Sequence, residues 1–142
     1  MPSKIVTNSE QETFNLAVKY ASELQGGEVV ALQGDLGAGK TVFVKGLAQK
    51  LGIKGNISSP TFVLMKVYRT DHSSIKYFCH VDAYRIRSEE DLLAIGLQDY
   101  LNREDTVVVL EWAEKVGEIL PKNRKKIEIK HTSETQRELL WR

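Results

Sequence analysis

The chain alternates between short apolar runs, which predict strands, and stretches in which apolar residues recur every three or four positions, which predict helices. Residues 28–33 contain a short apolar run, and residues 106–110 form a continuous β-branched run typical of central, buried strands. Residues 62–68 and 75–81 flank a polar turn and predict a hairpin. A final hairpin is predicted across residues 132–135, with apolar positions on either side at Ile127, Ile129, Leu139 and Trp141.

Apolar and polar positions alternate in the segment 75–81 and its extension to Asp82. Successive side chains of a strand point to opposite faces, so every second residue shares a face. We expect His80 and Asp82 to share one face near the strand end. The opposite face is expected to point into the core, and its residues are Ile75, Tyr77, Cys79 and Val81.

Three helices are also predicted, one ahead of the first of these strands and two between successive strands. Ser9 and Glu12 form a capping box ahead of the first helix. Its apolar stripe comprises Phe14, Ala17, Val18, Ala21 and Leu24. The second helix, residues 41–51, follows a glycine-rich loop and ends at Gly52. The third is short and is capped by Ser88.

The glycine-rich loop carries the most specific chemistry. Residues 34–41 read G-D-L-G-A-G-K-T and fill every fixed position of the phosphate-binding pattern G-x-x-x-x-G-K-[ST]. Glycines let backbone N–H groups converge on phosphate oxygens at φ values that a side chain would forbid. Lys40 supplies a charge for the β- and γ-phosphates, and the Thr41 hydroxyl is a candidate Mg²⁺ ligand. Because a strand precedes the loop and a helix N-terminus follows it, an anion site is favoured over a turn that binds nothing.

The alternation of helices and strands around this loop predicts the fold class. We expect an α/β, three-layer P-loop NTPase-type fold. Its mixed sheet should have central parallel strands and antiparallel hairpins. No internal repeat, low-complexity tract or linker interrupts the pattern, and 142 residues suit one domain, residues 1–142.

Composition limits the cellular compartment and the classes of binding partner that we expect. The chain has 20 Lys+Arg against 19 Asp+Glu, so no strong positive field argues for direct nucleic-acid binding. The single cysteine, Cys79, excludes an internal disulfide and is expected to be a buried, inert thiol. Neither a signal peptide nor an apolar run of membrane-spanning length is visible, so we expect a cytoplasmic protein with no membrane partner.

A phosphate site that uses Mg²⁺ needs an acidic partner, and two acids follow apolar strands. Glu111 follows the run 107–110 and is a candidate Mg²⁺ ligand; the alternative is an acid that begins the next helix. Asp82 is a candidate to orient or deprotonate the attacking water, or to bond a magnesium-bound water. The alternative for Asp82 is a local salt bridge to Arg85.

Three other features allow both a functional and a structural interpretation. His80 is a candidate for chemistry, but a lone histidine on a strand is more often a hydrogen-bonded structural residue. Residues 58–61 form either a switch that senses the γ-phosphate or a plain connection, and Ser59 or Thr61 would supply its hydroxyl. Trp112 either stacks near a nucleotide or fills the core, and core packing is the usual role of an isolated aromatic residue.

The order and spacing of these segments resemble the TsaE (YjeE) family of bacterial ATPases over residues 5–121. Beyond the phosphate loop, the matching segments are S-P-T-F at residues 59–62, H-V-D-A-Y-R at residues 80–85 and L-E-W-A-E-K at residues 110–115. The resemblance implies Mg²⁺-dependent ATP hydrolysis and a role in making threonylcarbamoyladenosine beside the anticodon of tRNA. It also implies the partner proteins TsaD and TsaB, with tRNA engaged only through their complex.

The resemblance further implies a role for each matching residue. Thr41 and Glu111 would bind Mg²⁺, Lys40 would hold phosphates, Asp82 would serve hydrolysis and Thr61 would belong to a switch-like element. Nucleotide contacts are implied for the loop residues Asp35, Leu36, Gly37, Ala38, Gly39, Lys40, Thr41 and Val42. In such proteins an N-terminal segment and a late arginine approach the nucleotide, which adds the candidates Ser9, Gln11 and Arg137.

Some features depart from the family or leave other functions open. Val42 stands where many relatives have a second threonine, so only its N–H remains for the α-phosphate region. The N-K-x-D guanine motif is absent, which fits adenine.

Two other functions remain open. A nucleotide-gated binding module with incidental hydrolysis would use the same loop. A small-molecule kinase would also use it, with Arg85 and Arg87 as its only lid arginines.

Overall fold

The computed structural model describes residues 3–35, 37–53, 57 and 64–141, which form one seven-stranded sheet flanked by helices. The strands are β1 (Ser3–Thr7), β2 (Val29–Gln33), β3 (Met65–Arg69), β4 (Tyr77–Asp82), β5 (Thr106–Glu111), β6 (Lys125–His131) and β7 (Arg137–Trp141). The helices are α1 (Glu10–Ala21), α2 (Lys40–Lys50), α3 (Glu89–Ala94) and α4 (Leu97–Leu101), with 3₁₀ turns at Ala113–Lys115 and Gly117–Ile119. No helix in these ranges is long and apolar enough to cross a membrane.

The sheet is mixed, and its order is β1-β7-β6-β2-β5-β4-β3. The central strand β2 runs parallel to both β5 and β6, and β4 runs parallel to β5. The hairpins β3–β4 and β6–β7 are antiparallel, and β1 pairs antiparallel with β7. The predicted P-loop NTPase-type fold, with central parallel strands and antiparallel hairpins, is therefore confirmed.

Helices cover both faces of the central strands, which makes three layers. On β5, Val107 and Val109 pack in a cluster with α1 and α2, whereas Val108 and Leu110 pack in a second cluster with α3 and α4. All residues of β5 are buried. A strand covered on both sides buries every side chain, so its sequence is a continuous apolar run without alternation.

The strand β4 is buried more completely than the sequence predicts. The alternation of apolar and polar residues predicts that only one face of β4 is buried. Phe78 and His80, on the other face, are also fully buried. The expectation fails because β4 lies between β3 and β5 with apolar clusters on both sides. Cys79 is buried as expected, and burial raises the pKa of its thiol to about 12.

Two elements are absent from the sequence prediction. Strand β1 has no buried face along Ser3–Val6, so it lacks the alternation that marks a strand. Helix α4 begins after Gly96 and has only five residues, so it is too short to show a periodic apolar stripe.

The predicted cap of α1 is present, since the Glu12 N–H donates to Ser9 Oγ at 3.1 Å. The buried residues of α1 are Thr13, Ala17 and Ala21, whereas Phe14 and Val18 of the predicted stripe are only partly buried and Leu24 is buried beyond the end of the helix. The Thr13 hydroxyl lies 2.7 Å from that of Thr7.

Helices α1 and α2 approach each other closely at Gly46. A Cβ at this position would lie 2.6 Å from the Ala17 Cβ and 2.6 Å from the Phe14 carbonyl oxygen. Both distances are shorter than van der Waals contact, so a larger residue would push the helices apart. The contact matters for the rest of the fold because α2 begins at Lys40, directly after the glycine-rich loop.

We expect Gly46→Ala to lower the free energy of unfolding by about 1–3 kcal/mol, the usual range for overpacking. Denaturant unfolding followed by circular dichroism measures this loss. Gly117→Ala is the matched control, because its Cβ would come no closer than 3.7 Å to another residue, at Arg124 Nη2. Equal losses in the two variants would contradict the close packing of α1 and α2.

Candidate functional site

The loop between β2 and α2 adopts backbone conformations that glycine allows and other residues disfavour. Gly37 and Gly39 adopt φ values of 79° and 102°, in the left-handed region that side chains disfavour. Apart from its chain neighbours, no described residue has an atom within 4 Å of a Cβ built on Gly37, so its positive φ is the reason that glycine is favoured there. Unlike α1, which Ser9 caps, α2 has no side-chain cap and no acidic residue in its first turn. Its N-terminal amides are therefore suited to a bound anion.

Lys40 is the first residue of α2, and its side chain folds back over the loop. Its Nζ donates hydrogen bonds to the carbonyl oxygens of Gly34 and Asp35, the second at 2.9 Å. The same ammonium lies 3.9 Å from the ring centroid of Trp112. Burial lowers the pKa of Lys40, and the nearby Glu111 carboxylate opposes that shift. A desolvated cation at this place favours an anionic ligand, because the ligand's charge would offset the loss of hydration.

Glu111 connects the loop helix with the central sheet. It ends β5 with only 2% of its surface exposed. Its Oε1 accepts a hydrogen bond from Thr41 Oγ1 at 3.3 Å, and its Oε2 lies 2.6 Å from Nε2 of His80. The hydroxyl and the carboxylate are oxygen ligands of the kind that Mg²⁺ prefers.

The residues present suit a Mg²⁺ ion that also binds substrate phosphates. Among the described residues, no group of three His, Cys, Asp or Glu side chains is placed to hold a metal. Mg²⁺ at a nucleotide site uses one or two protein oxygens and completes its shell with phosphates and water. Thr41 and Glu111 would supply those protein oxygens.

Asp82 lies beside Glu111, because the two residues are partners in the parallel register of β4 and β5. Its Oδ1 accepts the Tyr84 N–H at 3.0 Å. Burial raises the pKa of this carboxyl group, while the hydrogen bond from Tyr84 opposes the shift. A carboxylate with a raised pKa binds a proton more readily, so Asp82 is suited to accept one from a bound water.

These groups line a cavity of about 540 Å³. The predicted residues that line it are Ser9, Gly37, Ala38, Gly39, Lys40, Thr41, Val42, Asp82, Glu111 and Arg137. Trp112, for which the sequence leaves a place near a nucleotide open, also lines it. The wall is completed by residues that sequence reasoning did not place at this site, which are Glu10, Thr13, Tyr84, Glu134 and Thr135. The volume is in the range of small-molecule and cofactor sites.

Two segments far apart in the chain close the cavity opposite the loop. Arg137, at the start of β7, donates from Nη2 to the Gly37 carbonyl oxygen at 3.1 Å. Its Nη1 also donates to carbonyl oxygens in the turn before β7. That turn contacts the start of α1, since Gln136 Nε2 donates to Asn8 Oδ1 at 2.9 Å. The cavity therefore lies between the phosphate-type loop, the N-terminus of α1 and the β6–β7 turn.

Not every predicted site residue lies in this cavity. Gln11 is exposed on α1 and donates from Nε2 to Asn15 Oδ1 at 2.8 Å, so it does not line the cavity. Asp35 lines a different cavity, which shares Trp112 with the first one. Leu36 and Thr61 lie outside the described residues, as does the whole segment 58–63.

Trp112 has a position that sequence reasoning did not favour. Its φ of 61° lies in the left-handed region, which is uncommon for a bulky residue. The ring packs against the Lys40 ammonium and lies 4.9 Å from the Tyr84 ring. It contacts the second apolar cluster and also lines the cavity, so it has both of the roles considered for it. The only local signal in the sequence was its place directly after Glu111.

We expect Asp82→Asn to raise the midpoint of thermal unfolding at pH 7, measured with EDTA and without nucleotide. Because burial raises the pKa of Asp82, the folded state loses stability as the pH rises from the ordinary value of 3.8 through the raised one. Asparagine does not titrate, so the variant avoids that loss. The difference should vanish near about pH 3, where both states carry the protonated acid. A less stable variant at pH 7 would contradict this view of the site.

Comparisons with known proteins identify the family. Residues 7–139 match the family model described as "Threonylcarbamoyl adenosine biosynthesis protein TsaE". The tRNA threonylcarbamoyladenosine biosynthesis protein TsaE of Treponema pallidum (strain Nichols) is 40% identical over 136 residues, which cover 96% of this chain and 97% of that protein. Its counterpart in Bacillus subtilis (strain 168) is 38% identical over 135 residues, covering 95% and 82%. The crystal structure of Bacillus subtilis YdiB is similar with a TM-score of 0.80 and 34% identity, over 99% of this chain and 84% of that one. The chain therefore belongs to the TsaE family of threonylcarbamoyladenosine biosynthesis proteins.

Proposed function

We propose that this protein is a Mg²⁺-dependent ATPase whose hydrolysis supports threonylcarbamoyladenosine modification of tRNA in the cytoplasm, in association with a complex of TsaB and TsaD. The observation that carries the proposal is the contact between Thr41 and Glu111. It brings the last residue of the phosphate-binding motif within 3.3 Å of a buried carboxylate on a neighbouring strand. A loop that bound nothing would not need this buried acid.

The phosphate end of the site supports a nucleoside triphosphate. The uncapped N-terminus of α2 and the glycine conformations offer backbone amides to phosphate oxygens. Lys40 lies at the same place and would exchange its hydrogen bonds to the loop carbonyls for bonds to phosphate. The nucleoside would occupy the rest of the cavity, between the start of α1 and the β6–β7 turn. The absence of a guanine motif favours adenine.

Each remaining group has a distinct part in hydrolysis. Thr41 and Glu111 would hold Mg²⁺, which when bound neutralises charge on the phosphates. Asp82 would orient the attacking water and accept its proton, since its carboxyl is half-buried and its pKa is raised by burial. Trp112 and Tyr84 would limit water access on that side of the cavity.

Charge supports an indirect role in the tRNA pathway. The formal net charge of the chain is +1, which offers little attraction to a polyanion. A protein of this kind would affect tRNA modification through protein partners rather than by holding the RNA itself. Membership of the TsaE family supports association with TsaB and TsaD.

We expect Lys40→Ala to weaken binding of Mg²⁺–ATP by at least about 30-fold, because truncating a desolvated charge that pairs with phosphate costs about 2 kcal/mol or more. Isothermal titration calorimetry and phosphate release measure binding and turnover. Lys45→Ala is the matched control, since Lys45 is an exposed lysine of the same helix. Unchanged Mg²⁺-dependent turnover in Lys40→Ala would refute the assignment of this loop.

Asp82→Asn separates hydrolysis from nucleotide binding. Loss of a general base lowers turnover by about 10²–10⁴-fold, whereas phosphate and Mg²⁺ contacts are retained. We therefore expect the variant to bind ATP and to fail in reconstituted tRNA modification with TsaB and TsaD. Full modification by a variant without hydrolysis would instead support a nucleotide-gated binding module.

A further inference from the structure

We propose that His80 is a positioning residue, which holds the Glu111 carboxylate in the orientation that presents its Oε1 beside Thr41. The inference rests on the Mg²⁺–ATP site proposed above. It assigns a role to a histidine for which the sequence favours a purely structural interpretation.

The sheet register brings the two side chains together. In the parallel pairing of β4 and β5, His80 is opposite Val109 and Asp82 is opposite Glu111. Because side chains alternate, His80 and Glu111 point to the same face of the sheet, offset by two residues along neighbouring strands. This is the face covered by α1 and α2, where Val107, Val109 and Phe78 also pack.

The contact is short and buried. Nε2 of His80 lies 2.6 Å from Oε2 of Glu111, and the two side chains are 0% and 3% exposed. A carboxylate accepts hydrogen bonds only, so Nε2 carries the proton and donates it. With Oε2 held by His80, the hydrogen bond from Thr41 falls on the other oxygen, Oε1. The two bonds together prevent rotation of the carboxylate.

Space filling alone does not explain this histidine. Its ring is fully buried, and Nδ1 has no hydrogen-bond partner among the described residues. A buried polar atom without a partner is unfavourable, and an apolar side chain would fill the same space without that penalty. The imidazole makes its polar contact with Glu111, so we assign the role of His80 to that contact.

Fixing this carboxylate matters for a metal that tolerates little distortion. Mg²⁺ demands near-ideal octahedral geometry, so a carboxylate ligand that rotates freely binds it poorly. Groups that hydrogen-bond a metal-binding carboxylate typically change metal affinity by about 10- to 100-fold when removed. His80 is placed to act in this way on Glu111, and it is not among the described residues that line the cavity.

The test measures binding of the imido analogue of ATP in EDTA and across a Mg²⁺ titration, for His80→Leu, His80→Asn and His80→Gln. We expect His80→Leu to raise the half-saturating Mg²⁺ concentration by about 10- to 100-fold. Affinity in EDTA should stay within about twofold, because phosphate contacts are untouched. Gln retains a donor near the Nε2 position and should restore most of the response, whereas the shorter Asn should not.

A double-mutant cycle with Glu111→Gln tests whether His80 acts through that residue. Adding His80→Leu to Glu111→Gln should cause no further change in the Mg²⁺ response. Variants are compared only where circular dichroism shows a folded protein. If His80→Leu unfolds, the comparison of His80→Asn with His80→Gln still tests the inference. If folded His80→Leu and His80→Asn respond to Mg²⁺ like the unchanged protein, the inference is wrong. Equal loss of affinity in EDTA and in Mg²⁺ also overturns it, because that result indicates a general structural defect.

Measurements on the unchanged protein separate failure of the proposed metal site from failure of the role of His80. If its affinity for the analogue does not respond to Mg²⁺, the proposed metal site fails and the role of His80 fails with it. If the response is present but does not depend on position 80, only the role of His80 fails.

Discussion

The site depends on the register of three parallel strands. Leu32 of β2 and Asp82 of β4 are both partners of Glu111, the last residue of β5. This pairing places the loop after β2, the carboxylate of Glu111 and the carboxylate of Asp82 at one edge of the sheet and beside one helix. A slip of one residue in β5 would turn Glu111 to the opposite face, away from Thr41 and His80. Helix α2 is held against α1 at Gly46, so the loop meets that edge in one position.

The same site is electrostatically unfavourable for the protein alone. Burial lowers the pKa of Lys40 and raises that of Asp82, so the fold disfavours the charged form of each. Removing such groups typically stabilises a protein and reduces its activity. Phosphate and Mg²⁺ would supply the compensating charges, and ligand binding would then stabilise the folded state by mass action. The polar bond between His80 and Glu111 belongs to the same arrangement, since it keeps a buried acid hydrogen-bonded.

Sequence reasoning succeeded where one local segment contains the whole signal. The loop from Gly34 to Thr41 combines turn geometry, charge and helix start in eight consecutive residues. The buried strand β5 and the hairpin β6–β7 were also predicted from the local pattern of apolar positions. It failed for β1, which has no buried face, and for the second buried face of β4, which exists only because helices pack on both sides. The far wall of the cavity was also largely missed, since Thr13, Glu134 and Thr135 come together only through the contact between α1 and the β6–β7 turn.

Local patterns in the chain are enough to predict the α/β class, the phosphate-type loop and the two acids that follow apolar strands. These properties follow from backbone preference and hydrophobic period, which act over a few neighbouring residues. It is the packing of the folded chain that brings Glu111 into contact with both Thr41 and His80, places Trp112 over Lys40 and leaves Gln11 outside the cavity. Those contacts join residues as many as 72 positions apart, from Lys40 to Trp112, and depend on strand register and helix packing, which no local pattern encodes.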